Sequence, residues 1–126
     1  VLLDTSGSMS RGLLAAALGS IASYSEARDV QAIRVIFCDA AVYDQGMMTP
    51  EEIVGAVQVK GRGGTRLQPG IDLLENDICF PKDAPLLIIT DGACDRLNLR
   101  GRNHAYLIPW GKRLPYPPKG PVFRLK

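Results

Sequence analysis

The feature that most narrows what this chain can fold into is the uninterrupted apolar run Leu86-Leu87-Ile88-Ile89, opened by Pro85 and closed by Thr90-Asp91-Gly92. A strand that does not alternate apolar with polar residues must be covered on both faces. Such strands belong to parallel sheets lying between layers of helix. Other segments read as partners for it. Val1-Leu2-Leu3-Asp4 has the character of the end of a buried strand, and Ala32-Ile33-Arg34-Val35-Ile36-Phe37-Cys38 reads as a full one. Residues 41–43 suit a short edge strand, residues 105–109 a further strand, and residues 122–125 a last edge strand. Only three apolar residues precede Asp4, whereas a strand usually has about 5–6 residues. The expectation is a piece of a longer polypeptide that starts inside its first strand.

Helical patterns separate these strands. From about 11 to 27, Leu14, Leu18 and Ile21 recur at helical spacing with Ala17 and Tyr24 beside them, and Ser8 or Ser10 stands where a cap is wanted. Thr49-Pro50-Glu51-Glu52 combines a capping threonine, a proline at the first helical position and acids at the positive helix end. That helix is expected to end near Val57 or Val59. The glycine-rich loop Lys60-Gly61-Arg62-Gly63-Gly64-Thr65 precedes another helix, over 66–76. Strands alternating with helices imply right-handed crossovers. The expected fold is therefore α/β: a doubly wound, mainly parallel Rossmann-like sheet with helices on both faces and one antiparallel edge strand. It forms one domain over 1–126, with 111–126 as a proline-rich basic extension.

Composition excludes several classes. With 126 residues, 46% hydrophobic, 22% charged and a net charge of +2, the chain has apolar matter for one core and too little charge for a disordered tail. No stretch approaches the ~20 apolar residues of a membrane-spanning helix. Cys38, Cys79 and Cys94 are an odd, scattered set, which argues against a disulfide scaffold or a thiolate zinc site and for a reducing, cytoplasmic setting. Residues 1–95 carry 7 basic and 13 acidic side chains, a balance of −6, while residues 96–126 carry 8 basic and none acidic, a balance of +8. A basic tail can serve nucleic acid or an anionic membrane. Here no aromatic residues alternate with the arginines as base stacking would need, so nucleic acid is disfavoured and neutralisation of the acidic body is the simpler reading.

In an open sheet of order 3-2-1-4-5, ligands sit at the carboxyl ends of the strands where the order reverses, between the first and the fourth. Asp4 closes the first strand and Asp91 the fourth, so two carboxylates remote in sequence face one crevice. The rest of the set is hydroxyl. In Asp4-Thr5-Ser6-Gly7-Ser8 the side chains of Asp4, Ser6 and Ser8 alternate, and Thr65 leaves a loop made pliable by Gly61, Gly63 and Gly64. Carboxylates and hydroxyls suit a hard cation, Mg²⁺, Mn²⁺ or Ca²⁺. Three neutral hydroxyls and two carboxylates would leave such an ion electrophilic, able to take an Asp or Glu of another protein.

At these residues the chain resembles the von Willebrand factor type A family. Asp4-Thr5-Ser6-Gly7-Ser8-Met9, Gly63-Gly64-Thr65 and Thr90-Asp91-Gly92 match the three parts of that family's metal-ion-dependent adhesion site, in order, within a likeness that covers about residues 1–110. The resemblance implies that Ser6 and Ser8 bind the cation directly, that Thr65 does so directly or through water, and that Asp4 and Asp91 act mainly through water. More narrowly, the compact length and the Phe37-Cys38-Asp39-Ala40 turn are similar to the C-terminal A-like domains of bacterial metallopeptidase-like proteins. That likeness implies an upstream metallopeptidase-like domain or an AAA-type ATPase as partner. No His-Glu-x-x-His stretch occurs, so peptidase chemistry would lie outside this chain. Two departures from the family stand out. Only 13 residues, from Gly92 to His104, separate the fourth and fifth strands where the family has a helix, and the proline-rich tail leaves no room for a final one. Thin covering of one sheet face follows.

Plainer roles compete for each residue. Ser8 and Ser10 suit helix capping, Thr65 with Gln68 spells a capping box, Asp91-Gly92 an ordinary turn, and Asp39 a turn former. His104 reads as structural, and Trp110 and Tyr116 as packing or partner surface. Asp4 resists such an account, because a carboxylate at a buried strand end needs a partner. The function expected is a non-enzymatic, divalent-cation-dependent protein-binding module. The rival is a Mg²⁺-dependent phosphohydrolase with Asp4 as nucleophile, of the haloacid-dehalogenase type. That chemistry needs a second acid two residues on, and Ser6 stands there.

Overall fold

The structure, a computed structural model, describes residues 1–54 and 63–125. The expected helix end near Val57 or Val59, and Lys60, Gly61 and Arg62 of the glycine-rich loop, lie outside the described residues. Six strands form one sheet: β1 (Leu2–Asp4), β2 (Ile33–Cys38), β3 (Val42–Met48), β4 (Leu86–Ile89), β5 (His104–Pro109) and β6 (Val122–Leu125), in the order β3-β2-β1-β4-β5-β6. All neighbours are parallel except β2 and β3. The doubly wound α/β expectation, with its one antiparallel edge, is what is found.

Helix α1 (Arg11–Ala27) buries Leu14, Ala17, Leu18, Ile21, Ala22 and Ser25, a stripe at three- and four-residue spacing. Its cap is Ser10, whose Oγ accepts from Leu13 N at 3.1 Å, which leaves Ser8 outside the helix start. The short α2 (Pro50–Val54) has a reciprocal capping box: Glu52 N donates to Thr49 Oγ1 and Thr49 N to Glu52 Oε1. Both helices pack with Leu3, Phe37 and Ile89 on one face of the sheet. The opposite face carries α3 (Gln68–Asn76), whose Ile71 and Leu74 pack with Leu2, Ile36 and Ile88.

Three expectations need correction. The edge strand runs over Val42–Met48 rather than 41–43. Its Asp44-Gln45-Gly46 stretch looks like a turn, but Gly46 at φ +70° forms an irregularity opposite Val35 and Ile36, and Arg34 holds Asp44 at 2.6 Å and Asp77 at 2.8 Å. The Thr65–Gln68 capping box does not form. The N-cap position of α3 is Leu67, and the Asp95 carboxylate accepts from Leu67 N at 2.7 Å and Gln68 N at 3.1 Å. The Gln68 amide instead donates to Asp72 and to the Asn98 carbonyl. Finally, residues 92–103 have no helix, yet they close their own face: Leu97 and Leu99 are buried in the α3 cluster, with Leu114 and Tyr116 against it. The thin covering is on the α1 face, where Leu87 and Leu107 are only half-buried and Phe123 is 57% exposed.

Candidate metal centre

Strands β1 and β4 lie side by side with Leu3 opposite Ile89, so Asp4 and the Thr90-Asp91-Gly92 turn leave the sheet at the same end. Asp4 is fully buried. Its Oδ2 accepts from Thr90 Oγ1 at 2.6 Å and its Oδ1 from Ser6 N at 2.9 Å. The second bond wraps the chain into a tight loop that brings Ser6 Oγ and Ser8 Oγ within 3.1 Å of each other. Burial pushes the Asp4 carboxyl above its ordinary value. Hydrogen bonds from Ser6 and Thr90 pull it back, and the nearby negative charge of Asp91 adds to the upward push.

Asp91 thus acts on Asp4 although the two are 87 positions apart in sequence. Asp91 also accepts from Ala93 N at 3.0 Å, so the ordinary turn is present as well. That turn requires Gly92: φ is +88°, and a Cβ would lie 1.9 Å from the Arg113 carbonyl oxygen. The set is graded in depth. Asp4 and Ser6 are buried, Asp91 nearly so, Thr65 half-buried and Ser8 exposed.

The glycine-rich segment is brought to the serine loop by Gly7 N donating to Gly63 O at 2.9 Å, and Thr65 follows two residues on. Asp39 braces this junction. Its Oδ1 accepts from Ala41 N at 2.8 Å, its Oδ2 from Gly63 N at 3.0 Å, and its carbonyl from Arg66 N at 2.9 Å. The turn-forming reading of Asp39 understated it, because it ties the end of β2 to both ends of the described Gly63–Arg66 stretch. Asp95 is a residue that the sequence pattern does not single out. The only available signal was an acid shortly after Asp91 with no helix of its own to serve. Asp95 joins the segment after Asp91 to the helix after Thr65.

Thr5 Oγ1, on the residue between Asp4 and Ser6, is buried without a hydrogen-bond partner among the described residues. No group of three His, Cys, Asp or Glu side chains gathers among the described residues as at a chelating metal site.

The family model for the VWA-like domain (DUF2201) matches residues 1–114. The chain belongs to the VWA-like domain family. No curated protein and no solved structure matches it significantly. The matched stretch of this VWA-like domain contains Asp4, Ser6, Ser8, Thr65 and Asp91 and stops before Pro115. Among the described residues no helix is long and apolar enough to cross a membrane.

Proposed function

We propose that this VWA-like domain is a divalent-cation-dependent protein-binding module, without catalytic activity of its own, whose ion takes an Asp or Glu side chain of a partner. Ser6, Ser8 and Thr65 would hold Mg²⁺ (or Mn²⁺ or Ca²⁺) by their hydroxyls. Asp4 and Asp91 would balance its charge, mainly through water. The observation that carries this reading is the pair of serine hydroxyls 3.1 Å apart, on a loop folded around a buried carboxylate that a second carboxylate already perturbs. Both Asp4 oxygens are engaged by protein donors, which suits a carboxylate that neutralises from behind the first ring of ligands. The depth gradient suits an ion gripped on its inner side and open on its outer side. Such a module fits a cytoplasmic assembly with an AAA-type ATPase or with an upstream metallopeptidase-like domain.

The test is a calorimetric titration of Mg²⁺ and Mn²⁺ into the wild-type chain, Ser8→Ala and Asp91→Asn, followed by an Asp-containing peptide and an assay of a generic phosphate ester. Ser8 is exposed, so its variant separates loss of the site from loss of folding. The expected result is metal binding lost or weakened at least tenfold in both variants, peptide binding only with metal, and no turnover. Metal-dependent hydrolysis abolished by Asp4→Asn would establish the phosphohydrolase instead.

A further inference from the structure

A groove of about 720 Å³ lies between the chain segment 96–104 and the proline-rich strap 116–121. His104 opens β5 and pairs with Leu86, the first residue of β4. The groove is therefore at the start of these strands, away from the carboxyl ends where Asp4 and Asp91 sit. Its volume is in the range of small-molecule sites. No acidic residue lines it, whereas Arg96, Arg100, Arg102 and Lys119 do.

One of these cations has a structural duty. Arg102 is buried, pairs with Glu75 at 2.9 Å, donates to the Pro81 and Ala84 carbonyls, and lies over the Phe80 ring. Arg96, Arg100 and Lys119 have no acidic partner among the described residues. Among the described residues the one close ion pair between residues 96–126 and the acidic body is Arg102–Glu75.

The turn at Leu99, closed by Arg102 N donating to Leu99 O, places Arg100 at φ +49° and Gly101 at φ +80°. Glycine or asparagine is the usual occupant of the left-handed position, and an arginine there carries a conformational cost. The strap is fitted tightly on the other side, since a Cβ on Gly120 would lie 2.4 Å from the His104 carbonyl oxygen. The remaining wall is mixed: Leu97, Leu99, Tyr106 and Tyr116 supply apolar and aromatic surface, and Asn98, Asn103 and His104 supply polar groups.

We propose that this groove binds a small organic phosphate, with the dianionic group among Arg96, Arg100 and Lys119 and the organic part against Tyr116 and its apolar neighbours. Three cations without an acidic partner among the described residues, Arg96 of them 6.0 Å over the Tyr116 ring, call for more than one negative charge on the ligand. A phosphate monoester carries nearly two at neutral pH, a lone carboxylate only one. The half-apolar wall selects an ester over the free ion.

Phenyl phosphate titrated into the intact chain in EDTA, followed by amide NMR shifts, tests the assignment, with inorganic phosphate, benzoate and a short single-stranded oligonucleotide as comparisons. Saturable binding of phenyl phosphate is expected, with shifts at 96–104 and 116–121 and no change in Asp91→Asn. Lys119→Ala should weaken binding about tenfold, the loss of one charged contact. Arg100→Gly should weaken it similarly without lowering Tm, because glycine accepts the left-handed turn. Any of the following overturns the proposal: phenyl phosphate binding no tighter than benzoate or inorganic phosphate, shifts centred on residues 4–8, affinity unchanged in both variants, or saturable binding of the oligonucleotide alone.

Discussion

The Asp4 carboxylate is buried at the end of β1, where its charge costs the fold and where the proposed cation would offset that cost. In the folded chain its carboxyl is raised above its ordinary value, chiefly by burial and further by Asp91, against the pull of Ser6 and Thr90. A raised folded value means that the native state holds a proton more tightly than the unfolded chain. The Asp4 contribution to stability therefore falls as pH rises from the ordinary carboxylate range through the raised value, and at neutral pH the ionised group is a net burden. Asp4→Asn removes the charge and keeps the shape, and the Asn amide can still meet Ser6 N and the Thr90 hydroxyl. In EDTA at pH 7 this variant should melt a few degrees above wild type, an advantage that shrinks as pH falls towards 4. With Mg²⁺ the order should reverse, because only wild type gains from the ion. Melting curves of both proteins across pH, with and without Mg²⁺, check this; a variant less stable in EDTA at pH 7 counts against it. Asp4, Ser6 and Ser8 were legible as a set because their alternation is local. The brace formed by Asp39 was not, since nothing near Asp39 in sequence announces that its second oxygen reaches Gly63, 24 positions away.

At the scale of elements, local chemistry told the truth where an element is capped by its own neighbours and misled where a distant residue does the capping. Ser10 for α1 and the Thr49–Glu52 box for α2 are within three residues of what they cap. For α3 the equally good-looking Thr65–Gln68 pair loses to Asp95, whose two oxygens take both Leu67 N and Gln68 N. A carboxylate near the positive end of a helix also gains from the dipole, which a neutral threonine does not. Relieved of capping, Thr65 is available to the proposed centre. This separates two substitutions that look alike in sequence. Asp95→Ala should destabilise the fold by about 1–2 kcal/mol, as for other lost caps. Thr65→Ala should stay within about 0.5 kcal/mol in EDTA, as for substitutions away from structural features, yet weaken Mg²⁺ binding. Urea unfolding in EDTA beside Mg²⁺ titration checks both, and a Thr65→Ala loss as large as that of Asp95→Ala would restore the capping box. The length of β3 was hidden for a related reason: Asp44 belongs in a strand here because Arg34, on the neighbouring strand, receives it.

For the whole molecule, the unbroken apolar runs were enough to make the sheet mainly parallel, because a strand covered on both faces leaves few alternatives, and the doubly wound order that reverses between the first and fourth strands is the one found, β3-β2-β1-β4-β5-β6. The same order gathers three remote segments at one end of the sheet, and the bonds that join them among the described residues include Thr90 to Asp4, Gly7 to Gly63, and Asp95 to the start of α3. A cation held by Ser6, Ser8 and Thr65 would act as a further tie between segments already close, binding the native state and not the unfolded chain. Mass action then sets its effect at about 2.7 kcal/mol when Mg²⁺ stands at 100 times its Kd. The gain should appear twice in exchange kinetics: amides opened only by global unfolding slow by the whole increment, and those in the three loops gain an added local anchor. Hydrogen exchange should therefore show new protection at the amides of residues 5–9, 63–67 and 91–93, over and above a uniform slowing of the core, and Ser8→Ala should erase it. Protection that instead rises along 96–104, or rises in the core without the three loops, would place the ion elsewhere.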